Sequence, residues 1–136
     1  MTQFKSVFET APDNLTAYEQ VVARQKLILE AGWCWPSIVP VIEKIREELD
    51  EAAAAIAGGD ELGDLIFVAT LLCHYAGINP QEAVERASCK LAGRFGHIEK
   101  MAHNSGRQLK NVPRAEQQAW YNDLKLQGKQ GAKVGS

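Results

Sequence analysis

The sequence predicts an all-α protein, an antiparallel bundle of four to five helices that assembles into an oligomer. Apolar residues recur at helical spacing along most of its length, and no stretch alternates with the period of a strand. The segments are joined by short connections marked with Gly and Pro, as antiparallel neighbours require. One segment, Glu61 to Ala76, reads LIFVATLLCHYA after its acidic start. A helix apolar on nearly all sides belongs in the middle of a bundle or in a subunit interface.

Five helices are expected. The first spans Thr16 to Ala31, opened by the capping box Thr16-Ala17-Tyr18-Glu19 and closed by Gly32. Val21, Val22, Leu27, Ile28 and Leu29 supply its apolar side. After the connector Trp33-Cys34-Trp35-Pro36, a second helix spans Ser37 to Ala57, with Val41, Ile45, Leu49 and Ala52 as its buried stripe. Gly58-Gly59 breaks it, and Asp60 is the expected N-cap of the third helix. Gly77 ends that helix. Asn79-Pro80-Gln81-Glu82 then opens a fourth, which runs to about His103 despite Gly93 and Gly96. A fifth runs from about Pro113 to Gln127. Residues 1–13 are expected to be weakly ordered, 14–127 to form one helical domain, and 128–136 to be a disordered tail.

Composition narrows the function. A chain of 136 residues with 46% hydrophobic and 24% charged residues suits one soluble domain. A net charge of −2 gives no basic field for a nucleic-acid backbone, so no nucleic-acid partner is expected. Cys34, Cys73 and Cys89 form no CxxC pair and are odd in number, which points to reduced thiols in the cytoplasm. The apolar run from Leu65 to Ile78 is too short to span a bilayer, and no membrane partner is expected.

The acids carry the chemistry. Glu47, Glu48, Asp50 and Glu51 lie on the second helix, while Glu61 and Asp64 open the third. Glu48 and Glu51 are three residues apart and share a helix face, and so do Glu61 and Asp64. Four such carboxylates brought together, with no evident cationic partner, repel by several kcal/mol unless a hard cation neutralises them. Oxygen-only ligands suit Mg²⁺, and Mn²⁺ fits the same donors. Taken singly, an ExxE pair is ordinarily a solvated helix face, and acids in a first turn also complement the helix dipole. What favours a metal site is that both clusters adjoin residues expected to be buried, where an unneutralised cluster is unfavourable.

The order ExxE, then ExxD leading into an apolar helix, resembles the signature of the all-α nucleoside triphosphate pyrophosphohydrolases, and within them the MazG type. Four stretches carry the likeness: residues 24–36, EKIREELDE at Glu43 to Glu51, ELGDLIF at Glu61 to Phe67, and GINPQEAVERASCKLAGRF at Gly77 to Phe95. The resemblance implies Mg²⁺-dependent hydrolysis of ribo- or deoxyribonucleoside triphosphates to monophosphate and pyrophosphate, in a housecleaning or nucleotide-pool role. It implies Glu48, Glu51, Glu61 and Asp64 as metal ligands and Glu47 as a residue that activates water. It also implies Lys90 and Arg94 as a catalytic pair gripping phosphates, Trp120 near the nucleotide, and a homodimer or dimer of dimers.

The sequence departs from the family pattern in three places. Ser88 stands where the family has Asn, and Leu91 where it has its first Phe. Only residues 52–60 separate Glu51 from Glu61, fewer than the family usually has. With a turn at Gly58-Gly59, Glu48 and Glu61 are offset by about 10 Å along the helices, so either the loop is tight or the helix ends unwind. Two other readings stand beside the enzyme: a MazG-like bundle that binds nucleotide or metal without catalysis, and a structural oligomer whose acids are solvated.

Overall fold

The computed structural model describes residues 3–56 and 59–134, with side chains through 127. It is all-α: five α-helices and two short 3-10 turns, with no strand among the described residues. The helices are α1 (Ala17–Glu30), α2 (Ile38–Ala54), α3 (Asp60–Tyr75), α4 (Pro80–Asn104) and α5 (Arg114–Val134). The chain divides into two compact units, Met1–Val84 and Glu85–Ser136, with the boundary inside α4.

Local capping chemistry sets several helix ends. Thr16 Oγ1 accepts from the Glu19 amide, and Glu19 accepts from the Thr16 amide, completing the expected box. Asn79 Oδ1 accepts from the amides of Gln81 and Glu82 at 2.9 and 3.2 Å, opening α4. Gly77, at φ +70°, ends α3 in a left-handed turn, and the Ile78 amide reaches back to the Cys73 carbonyl at 2.9 Å.

Two helix ends differ from expectation, and two segments outside the expected domain carry helical structure. Ser6 caps a 3-10 turn at Val7–Thr10 through a capping box, giving local order to a segment read as weakly patterned. The N-cap of α3 is Gly59, at φ +80°, and Asp60 is the first helical residue. Helix α5 continues to Val134, past Gly128, where the sequence placed a tail. Helix α2 ends at Ala54 rather than Ala57, because Ala55 leaves helical geometry (φ −141°, ψ 49°). Ala57, the expected last residue of that helix, and Gly58, in the expected turn, lie outside the described residues.

In the first unit α2 packs along α3 most extensively, and α1 lies on α3. Polar contacts key α1 in place. Tyr18 Oη meets Thr70 Oγ1 at 3.1 Å, and Thr70 donates to the Ile66 carbonyl at 2.8 Å. Gln25, fully buried, donates through Nε2 to the Phe67 carbonyl at 2.8 Å. Rising numbers on α1 meet falling numbers on α3, so the two helices are antiparallel. The core is small: Val41 and Ala52 of α2 with Val68 and Leu71 of α3. The connector brings Trp33, Cys34 and Trp35 beside Phe67 and Leu71 around an apolar pocket of about 160 Å³.

The inward stripe of α2 is not the one the apolar residues suggest. Leu49 is 53% exposed, and Glu48, at 6%, takes the inward position with Val41 and Ala52. At about 100° per residue, Glu48 points within about 20° of Val41, whereas Leu49 is turned away by about 80°. Helix α3 is not enclosed either: Val68, Thr70 and Leu71 are buried, but Ile66 is 59% exposed and Leu62 and Phe67 are exposed as well.

In the second unit Arg107 holds Glu116 in a two-point ion pair, one arm of which is 2.9 Å. Gln117 Nε2 donates to the carbonyls of Leu109 and Val112. These bonds tie the segment after α4 to the first turn of α5.

Gln25→Ala removes a fully buried amide and its bond to α3, and should cost about 2–3 kcal/mol. Urea denaturation should show a lower midpoint at an unchanged slope. A midpoint equal to that of the unaltered protein would mean that Gln25 does not key α1 onto α3.

Candidate metal centre on the α2–α3 hairpin

The hairpin decides where the acids stand. Glu48 lies two turns before the end of α2 and faces α3, while Glu51 sits in the last turn and is exposed. Asp60, Glu61 and Asp64 open α3, Glu61 half-buried and Asp64 exposed. Because α2 unwinds at Ala55, the connection comprises residues 55–59 and the register changes. Counting from the helix ends, Glu51 is about 4–5 Å from the connection and Asp64 about 6 Å, nearly level. Glu48 and Glu61 differ by about 7–8 Å, less than a turn at Gly58-Gly59 would give.

Glu48 is the unusual member. Its Oε1 accepts from Lys44 Nζ at 3.2 Å, while its Oε2 is buried with no hydrogen-bond partner. Lys44 also reaches Glu47 Oε1 at 3.3 Å, and both carboxylates hold the lysine above the ordinary ammonium range. The sequence therefore does supply a cation to this cluster, contrary to the reading that it has none. The spacing was visible: Lys44 stands three and four residues before Glu47 and Glu48.

The negative charge is only partly balanced. The Glu48 carboxylate raises the pKa of Glu51, with further upward pushes from burial and from Glu47, against a smaller downward pull from Lys44. A buried carboxylate with a bare oxygen, beside an acid that resists ionisation, is a donor set short of positive charge. Oxygen donors of this kind fit a hard divalent cation. The structure brings Glu47, Glu48 and Glu51 into one electrostatic group. Among the described residues, no three acidic, His or Cys side chains converge closely enough to hold an ion.

The remaining expected residues lie in the second unit. Lys90 is exposed on α4. One turn on, half-buried Arg94 donates from Nη1 to Tyr121 Oη at 3.0 Å. Trp120, on α5, is half-buried.

No family model matches the chain. Individual proteins do, and they agree on a class. The chain is similar to the nucleoside triphosphate pyrophosphohydrolase of Escherichia coli (strain K12), 26% identical over 130 residues that cover 90% of this chain and 49% of that protein. The protein of the same name from Escherichia coli O157:H7 matches equally. The nucleoside triphosphate pyrophosphohydrolase/pyrophosphatase MazG of Thermotoga maritima is 31% identical over 87 residues, covering 62% of this chain and 34% of that protein. The MazG-type resemblance read from the acidic motifs thus extends over most of the chain, and the chain spans about half the length of the E. coli relatives.

With its pKa raised in the folded state, Glu51 opposes folding once it ionises, and this loss sets in as pH rises from the ordinary carboxylate range through the raised value. Glu51→Gln should therefore melt higher than the unaltered protein at neutral pH in a chelator, and the gap should close below the ordinary carboxylate range. A neutral-pH melting point that is unchanged or lower would refute this electrostatic picture.

Proposed function

We propose that the chain is a Mg²⁺-dependent nucleoside triphosphate pyrophosphohydrolase that cleaves between the α and β phosphorus atoms of ribo- or deoxyribonucleotides. The buried, half-partnered carboxylate of Glu48 beside Glu51 carries this reading, and the names of the relatives agree with it. Glu48 and Glu51 on α2, with Glu61 and Asp64 on α3, are the residues that would hold Mg²⁺, or Mn²⁺ in its place. When bound, the ion supplies charge neutralisation and a water of lowered pKa.

The chain's own groups do the rest. Glu47 accepts the proton of the attacking water. Lys90 and Arg94 take phosphate oxygens and stabilise charge on the departing pyrophosphate, and Trp120 packs against the nucleotide. The activity suits a housecleaning role in the nucleotide pool, and three free cysteines agree with a cytoplasmic setting. Among the described residues, no single helix is long and apolar enough to cross a membrane. A second reading, a bundle that binds metal or nucleotide without turnover, is favoured by the lack, among the described residues, of three acidic, His or Cys side chains close enough to hold an ion.

Incubation with the common ribo- and deoxyribonucleoside triphosphates and Mg²⁺ should yield monophosphate and pyrophosphate. Glu51→Ala and Asp64→Ala should each lower turnover by about 100-fold or more while the helical content stays intact. Diphosphate with orthophosphate as products, or full activity in both variants, would overturn the assignment. Binding without any product would select the non-catalytic reading.

The exposed apolar residues Leu62 and Ile66 on α3 support a homodimer or dimer of dimers formed through that face. Sedimentation should give a dimer or tetramer for the unaltered chain and a smaller species for Ile66→Asp. A stable monomer of the unaltered chain would contradict the assembly.

A further inference from the structure

The residue on α5 that touches Arg94 is Tyr121, not the neighbouring tryptophan the sequence singles out. Arg94 Nη1 donates to Tyr121 Oη at 3.0 Å, and the guanidinium carbon lies 5.4 Å from the centroid of the same ring. Lys125 Nζ approaches that ring at 5.4 Å as well. All three residues belong to the second unit, so the arrangement is internal to one body. Tyr121 is half-buried at the edge of a pocket of about 330 Å³ that it shares with Phe95, Ile98, Arg114 and Gln117.

Two features make this more than packing. A long, flexible arginine loses rotamer freedom when it grips an anion, and a fixed hydrogen bond plus a ring contact remove that freedom beforehand. The cations around the ring also lack counter-charge: among the described residues, neither Arg94 nor Lys125 forms an ion pair. Two cations drawn to one aromatic ring repel each other, and an anion bound beside them relieves that repulsion.

We propose that Tyr121 is a positioning residue that holds the Arg94 guanidinium ready for phosphate oxygens, with Lys125 adding positive field at the same place. This rests on the reading of Arg94 as a phosphate grip. Tyr121→Phe keeps the ring and removes only the oxygen that accepts from Arg94.

The test is calorimetric titration of inorganic pyrophosphate in Mg²⁺, with steady-state kinetics, on the unaltered protein, Tyr121→Phe, Arg94→Ala and the double variant. Tyr121→Phe should weaken pyrophosphate binding and raise KM about 5–10-fold, with the loss falling on KM rather than kcat and the melting point unmoved. In the Arg94→Ala background it should add nothing, since the tyrosine acts only through the arginine. Pyrophosphate binding unaffected by Tyr121→Phe, or a Tyr121→Phe effect that adds in full to Arg94→Ala, overturns the proposal while leaving the phosphate grip standing. No pyrophosphate binding in the millimolar range by the unaltered protein, or binding unaffected by Arg94→Ala, removes the grip itself and the proposal with it.

Discussion

A carboxylate in the seam between two packed helices governs this structure. Glu48 occupies the inward stripe of α2 with Val41 and Ala52, and one of its oxygens has no partner. An ionised group in that setting costs free energy unless a positive charge comes to it. Lys44 answers part of that demand from the same helix, and the second oxygen stays buried without a hydrogen-bond partner. The hairpin is thereby committed to an electrostatic problem that a hydrophobic residue at 48 would have avoided. Tolerating it makes sense if something from solution completes the charge balance.

The helices around the seam are held in position more by directional contacts than by bulk burial. The apolar core of the first unit is a handful of residues, and α1 is fixed by Gln25 and by the Tyr18–Thr70 pair. Directional contacts of this kind set the height and rotation of α3 more sharply than apolar contact alone. Since Asp64 and Glu61 lie in the first turns of α3, contacts near its middle also fix where those acids stand relative to α2.

Much of the fold was legible because its signals are local. The capping groups of Thr16 and Asn79 and the left-handed Gly77 act on adjacent backbone, so their sequence context is enough. The rotation of α2 was legible only in part. Hydropathy favours Leu49 as the inward residue, yet helical angle favours Glu48, and packing follows the angle. The end of α2 was not legible at all, since Ala52 to Ala55 are all good helix formers and only the tertiary need to turn back unwinds Ala55. Among the site residues, the acids announced themselves by spacing. Lys44 is equally local, one turn before Glu48 on the same helix face. Tyr121 had no local signal, because its contact with Arg94 joins two separate helices.

The unwinding at Ala55 has an implication for how such hairpins diversify. Loop closure entropy grows only with the logarithm of length, so residues added to or taken from the 55–59 segment change stability little. What they do change is how far α2 is wound before the chain turns, and hence the vertical offset between its acids and those of α3. The connection behaves as a vernier: a short segment of low sequence demand that sets the spacing of charges neither end could adjust alone. Variation in its length can reset the spacing between the acids of α2 and those of α3 while every acid stays the same.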